Sequence, residues 1–292
     1  MGGNEEADEG REAAAEVATP ASAPADDPNA WAYAPQPKLP PREVEAGTPF
    51  AAGAPSEPGA GGQEVPPELL APGPGIAKGQ EWGTPLTVPV DEEVLGTDAM
   101  LAAQYVARPD AIIGFLPTGN SDLARTLGLP TDVYARTPTH LRPLDVIDAG
   151  RDGVAVNAVV FGIAPDLLGW GSTAATIVVE VDGDEVFRGR STTVIVASGQ
   201  FVNGNDLVPR GHPGDGRLEV QAYHFSRSER KKLREKIRNG SHLPHRKIRE
   251  RSGRTVRITS SKPLPLALDG RSGGTVTSVE ITVRPGALQL AV

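Results

Sequence analysis

The chain reads as a mainly β protein. It is expected to hold a β-sandwich, a small α/β appendage ahead of it, and a disordered tail at its start. Three observations support this. From Arg142 onward, short alternating runs are separated by turn residues, roughly eight or nine strands in all. Between residues 81 and 130 the order is strand, helix, strand, helix. Residues 1–80 hold 14 of the 28 prolines and no apolar period. Such a segment buries too little to offset backbone ordering, at roughly 1–2 kcal/mol per residue. The segments are therefore 1–80, 81–130 and 131–292.

Charge follows the same division. Residues 1–80 carry 13 acidic against 4 basic side chains, and the remainder 24 against 25. The net charge of −8 thus belongs to the tail. No cysteine is present, which excludes disulfides and thiolate metal sites. The acidic start lacks the basic-then-apolar pattern of a signal peptide, and no apolar run reaches about 18 residues. The expectation is a cytoplasmic protein, not transmembrane, peripheral at the membrane if its basic face binds there.

In order, Leu86, Val88 and Val90 alternate as a strand. Thr97-Asp98 opens a helical run over 99–106, which ends before Pro109. Residues 110–117 form a short apolar strand. Thr118-Gly119-Asn120-Ser121 then leads into a helix from Asp122 to Leu127, stopped by Gly128. Strands follow at 144–147, 154–163, 176–181, 191–197 and 218–223, with Asp182-Gly183-Asp184 marking a hairpin. Between Arg227 and Arg254 lie 12 basic and 3 acidic residues, and 226–238 reads as a helix with Leu233 and Ile237 on one face. Lys231, Lys232 and Arg234 are the candidates for an anionic surface, at about 1 kcal/mol per basic residue near a membrane. Aromatic side chains for stacking bases are missing from the run, which argues against nucleic acid, although a basic-face scaffold stays open. His242 and His245, separated by Pro244, lack a third ligand nearby for a metal. Leu264, Leu266 and Leu268 alternate into Asp269-Gly270, a hairpin turn or a rigidly held carboxylate. Two short runs close the chain, 276–283 and 287–290.

Three of these stretches resemble the diacylglycerol kinase and sphingosine kinase type of lipid kinase. They are GFLPTGNSDLARTLGLP (114–130), VIVASGQFVNGNDLVPRGHPGDGRLEV (194–220), and PLPLALDG with PGALQL (263–270 and 285–290). The resemblance implies the C-terminal β-sandwich of that family. It makes Asp269 the degenerate counterpart of the base on the lipid hydroxyl. It makes Gly119, Ser121 and Asp122 the phosphate-side turn, and it leaves Asp215 as the one remaining carboxylate of a magnesium loop.

The family's GGDGT nucleotide loop does not occur, and Arg271 replaces the acid that should follow the catalytic Asp-Gly. A guanidinium there is expected to pair with Asp269 and lower its pKa. The resulting expectation is a pseudokinase-like protein that binds a lipid or anionic partner without kinase activity of its own. ATP and Mg²⁺ enter only under the alternative, an active lipid kinase with an unrecognised or partner-supplied nucleotide site.

Overall fold

The computed structural model describes residues 83–118, 120–129 and 137–292. The tail expected over 1–80, and Gly119 of the phosphate-side turn, lie outside the described residues.

The α/β part comes first. β1 (Thr84–Pro85) pairs with a later strand, and β2 (Glu92–Gly96) leads into α1 (Asp98–Ala107). β3 (Ile112–Pro117) runs parallel to β2, and α2 (Asp122–Leu127) follows it. The strand expected over 86–90 is replaced by β2. Pro89 lacks the N–H a ladder needs, and the β2–β3 ladder starts beyond it, at Glu92. α2 ends at Gly128, whose φ of 66° is the left-handed stop that glycine takes without strain.

The sandwich then builds through β4 (His140–Asp148), β5 (Val154–Ala155), β6 (Ala158–Gly162), β7 (Ala175–Val181), β8 (Asp184–Ser191) and β9 (Thr193–Ala197). β10 (Phe201–Val202) and β11 (Asn205–Asp206) form a separate small hairpin. β12 (Leu218–Tyr223), α3 (Arg230–Arg238), β13 (Ile248–Gly253), β14 (Thr255–Leu268) and β15 (Arg271–Ala291) complete the chain.

Two long strands make the architecture. β14 pairs with β7 through residues 256–260 and with β6 through 266–268. β15 pairs with β14 through residues 271–282 and with β4 through 282–291, the second ladder crossing a register shift between Arg284 and Leu288. The two short closing runs are thus one bent strand. Its bend falls at Pro285-Gly286, where Gly286 has φ 59°.

The inner faces enclose a core that includes Ile177, Val179, Phe161, Val194, Val220, Ile258 and Leu266. At the end of β15, Gln289–Ala291 pairs in parallel with β3, so the α/β piece extends the same sheet. Leu101, Tyr105, Ile113, Leu123, Leu144 and Leu290 form a second core under α1 and α2. A third cluster, with Leu168, Leu207, Tyr223, Leu233 and Ile237, seats α3. No helix among the described residues is long and apolar enough to cross a membrane.

Candidate functional site around Asp269

β14 and β15 meet in a two-residue turn. Asp269 (φ 48°) and Gly270 (φ 78°) both lie in the left-handed region, as such hairpins require. Asp269 is therefore a turn residue and a held carboxylate at once. Its own N–H donates to the Ala158 carbonyl at 2.9 Å. Its Oδ1 accepts from the Asn157 and Ala158 amides at 3.0 and 2.8 Å. Its Oδ2 accepts from the Val156 amide at 2.7 Å.

Arg271 does not form the expected ion pair. Its guanidinium lies beside Gly153, where an added Cβ would meet Nη2 at 3.2 Å. The pKa moves the other way from the sequence expectation. Burial first, and the charge of Asp98 second, push Asp269 up to about 7 against the pull of its three amides.

Asp98 is the acid that sequence reasoning missed. It sits in the first turn of α1, at the carboxyl end of β2, and is 6% exposed. Its Oδ2 accepts from the Asp122 and Leu123 amides at 2.9 and 3.0 Å. Its Oδ1 accepts the Ser121 hydroxyl. Ser121 in turn caps α2, its Oγ accepting from the Ala124 amide at 2.9 Å. Asp98 therefore supplies acceptors to the start of α2 from outside the helix. Burial raises its pKa. The available signal was an Asp in the turn after a strand that runs parallel to β3, since crevices in α/β sheets open at strand carboxyl ends.

The outer face of α2 is fastened to the β10–β11 hairpin. Asp122 Oδ1 accepts from the Gly204 amide at 2.8 Å, and Arg125 Nη1 donates to the Gly204 carbonyl at 2.6 Å. The Arg125 guanidinium lies 5.5 Å from the Phe201 ring centre. Thr126 Oγ1 accepts from the Gln200 amide at 3.1 Å. Beneath them Asn157 Nδ2 donates to the Phe201 carbonyl at 2.9 Å. A Cβ at Gly199 would fall 1.9 Å from Asn157 Oδ1, so only glycine lets this loop approach. Burial raises Asp122 and Asp166 to about 6 each, and the two repel one another.

The carboxylates Asp98, which is buried, and Asp122, Asp166 and Asp269, which are half-buried, thus form an acidic chain whose ordered partners are mostly backbone amides. Magnesium needs a near-octahedral set of oxygen ligands. Among the described residues no group of three or more Asp, Glu or His side chains converges in that way. The donor set does not fit the ion. Asp215, the residue expected from the magnesium loop, is exposed and accepts from the Arg217 amide at 2.9 Å. Its neighbour Asp145 is 1% exposed and ties the Gly216 and Gly286 amides together at 2.7 and 2.9 Å.

The basic helix divides in two. Leu233 and Ile237 are buried, while Lys231 and Lys232 are exposed. Arg234 turns inward and donates to the Leu168 carbonyl. It is a positioning residue for the 168–172 loop, not part of the free face. His242 is buried with Nε2 3.1 Å from the Leu207 carbonyl, and His245 stacks on Phe225 at 4.9 Å.

Residues 160–292 match the family model of the YegS C-terminal NAD kinase beta sandwich-like domain. The fold is similar to solved structures of a protein assigned as a diacylglycerol kinase from Bacillus anthracis str. Sterne. One of these gives a TM-score of 0.58 at 15% identity, covering 69% of this chain and 78% of that one. Another gives 0.55 at 17% identity, covering 69% and 76%. No curated protein matches the sequence.

Proposed function

We propose that the chain, whose residues 160–292 match the family model of the YegS C-terminal NAD kinase beta sandwich-like domain, is a pseudokinase-like member of the lipid-kinase-like family that binds an anionic lipid surface and transfers no phosphoryl group by itself. One observation carries this reading. The turn after β2 and the turn after β3, where phosphates would be cradled, are joined by Asp98 to the Ser121 hydroxyl and to the Asp122 and Leu123 amides. Backbone N–H groups that would hold phosphate are already occupied by a carboxylate. Phosphoryl transfer depends almost wholly on such positioning and charge stabilisation. A positioned base supplies only about 10²–10⁴-fold.

The enzyme alternative keeps one specific support. A carboxylate titrating near 7 is well matched to general-base work at neutral pH. Three amides leave one of its roughly four lone-pair sites, on Oδ2, for a substrate hydroxyl.

The deciding assay uses labelled ATP, magnesium and mixed micelles of diacylglycerol and sphingosine. The expected result is no transfer by wild type or by Asp269→Asn. Turnover in wild type that disappears in Asp269→Asn would overturn the pseudokinase reading.

For the lipid surface, binding to phosphatidylserine vesicles should weaken as salt rises, because exposed charges are screened beyond about 8–10 Å. Lys231→Glu combined with Lys232→Glu should abolish it. Preference for RNA over vesicles at equal salt would favour the nucleic-acid scaffold instead.

A further inference from the structure

Away from the residues around Asp269, and sharing none of them, lies an open cavity of about 840 Å³. It runs between β8 and β13, two sheet edges that are not hydrogen-bonded to each other. Arg188, Arg190, Arg227, Arg230, Arg249 and Lys262 line it, and no carboxylate does. Phe187 and His224 form part of its wall, with ring centres 5.8 Å apart. Its size is that of a small-molecule pocket, about 300–1,000 Å³.

The charge there is largely uncompensated. Of the six, only Arg188 forms an ion pair among the described residues, with Glu185. Glu229, the nearest acid on the helix entry, is engaged by Lys247 at 2.6 Å. Arg190, Arg227, Arg249 and Lys262 pair with no carboxylate among the described residues.

A second observation points to a ligand. Arg230 is 3% exposed, and its Nη1 donates to the Gly169 and Ser172 carbonyls at 2.9 and 2.6 Å. Its Nε, however, has no partner, and neither does the buried Nδ1 of His224. A buried cation held by neutral carbonyls keeps its net charge, and Arg230 is part of the cavity lining. Buried charges are ordinarily paired. Arginines that converge without acids match the planar, bidentate geometry of a phosphate.

We propose that this cavity binds a phosphomonoester group, carried either by a lipid headgroup or by a free phosphorylated metabolite. Arg190 and Arg249, from the facing edges, clamp the phosphate. Arg230 sets the potential from behind. The proposal names a chemical class and a place for the anionic partner proposed above, and in that respect rests on that reading.

The test uses the full chain with two probes. One is glycerol 3-phosphate, followed by calorimetry and by the ring resonances of His224. The other is phosphatidylcholine vesicles containing phosphatidic acid. Arg190→Gln with Arg249→Gln removes two exposed charges from the cavity. Lys231→Gln with Lys232→Gln removes two from the outer face of α3. The cavity pair should weaken glycerol 3-phosphate binding by at least about tenfold, and the helix pair by less than about twofold. Binding of phosphatidic acid vesicles alone, lost in the cavity pair, supports the headgroup source. Binding of the soluble probe alone supports the metabolite. Equal weakening in both pairs, or no effect of the cavity pair on either probe, overturns the site. Vesicle binding that survives the cavity pair and is lost in the helix pair overturns the cavity while leaving the anionic-surface reading in place.

Discussion

Replacing Asp269 with alanine should lower the melting temperature by roughly 6–12 °C near pH 5. The carboxylate is the acceptor for three consecutive amides, Val156 to Ala158. Its loss leaves those donors unsatisfied in a buried site. With partial access of water the cost is about 3 kcal/mol. A domain of this size moves by about 2–4 °C per kcal/mol.

The effect should depend on pH in an unusual sense. Asp269 titrates near 7 in the fold against an ordinary 3.8, so the folded chain binds more protons between those values. Its contribution to stability is complete below about 3.8 and is lost as pH rises through 7. Asp122 and Asp166, raised to about 6, act in the same direction. Glu229 opposes them only in acid. Lys247 and Ser226 hold it down to about 2, so its contribution disappears as pH falls from about 4.5 toward 2. Wild type should therefore gain thermal stability from pH 8 to pH 5 and lose it below about 4. Asp269→Ala should show a shallower rise. Thermal melts by circular dichroism at four pH values suffice. A wild-type melting temperature that falls steadily from pH 7 to pH 5 would refute the account.

Asp98→Asn should produce the second large effect, on Asp269 and α2 together. The Asp98 charge is the second cause, after burial, of the raised Asp269 pKa. Removing it should bring the Asp269 titration below 7, as read from side-chain carboxyl resonances. The substitution also puts an amide NH₂ where only acceptors now serve Ser121, Asp122 and Leu123. The Ser121 hydroxyl must then reverse from donor to acceptor, and the charge-assisted bonds to the α2 amides are weakened, at about 1–3 kcal/mol. Amide exchange in α2 should accelerate ahead of exchange in β9 and β12. An unchanged Asp269 titration would mean that the two carboxylates do not sense each other. Uniform acceleration across the sandwich would mean that Asp98 supports the whole core and not α2.

The order of the elements was largely legible from local chemistry. Turn residues at Asp182-Gly183 and Asp269-Gly270, and apolar periods such as Leu264, Leu266 and Leu268, are properties of a few neighbouring residues. The same holds for α2, with Ser121 before it and Gly128 after it. The resemblance to the lipid kinases came from the same kind of signal, because each of its motifs is contiguous.

The site was decided by partners far away in sequence. The amides on Asp269 lie 111 to 113 residues from it, and those on Asp98 are 24 and 25 residues distant. Arg271 was the nearest charge in the sequence, yet Asp269 is held by β6 and its approach, while the Arg271 guanidinium lies by Gly153. Burial then reversed the direction of the pKa, since desolvation depends on packing that no local pattern specifies. The basic cavity is similar. Its cations come from β8, β13, β14 and the region of α3, and they converge only because β7 and β12 place two unpaired edges opposite each other. Secondary structure is written in periods of two and 3.6 residues. A constellation of charges is written in contacts between segments, and those exist only once the chain has folded.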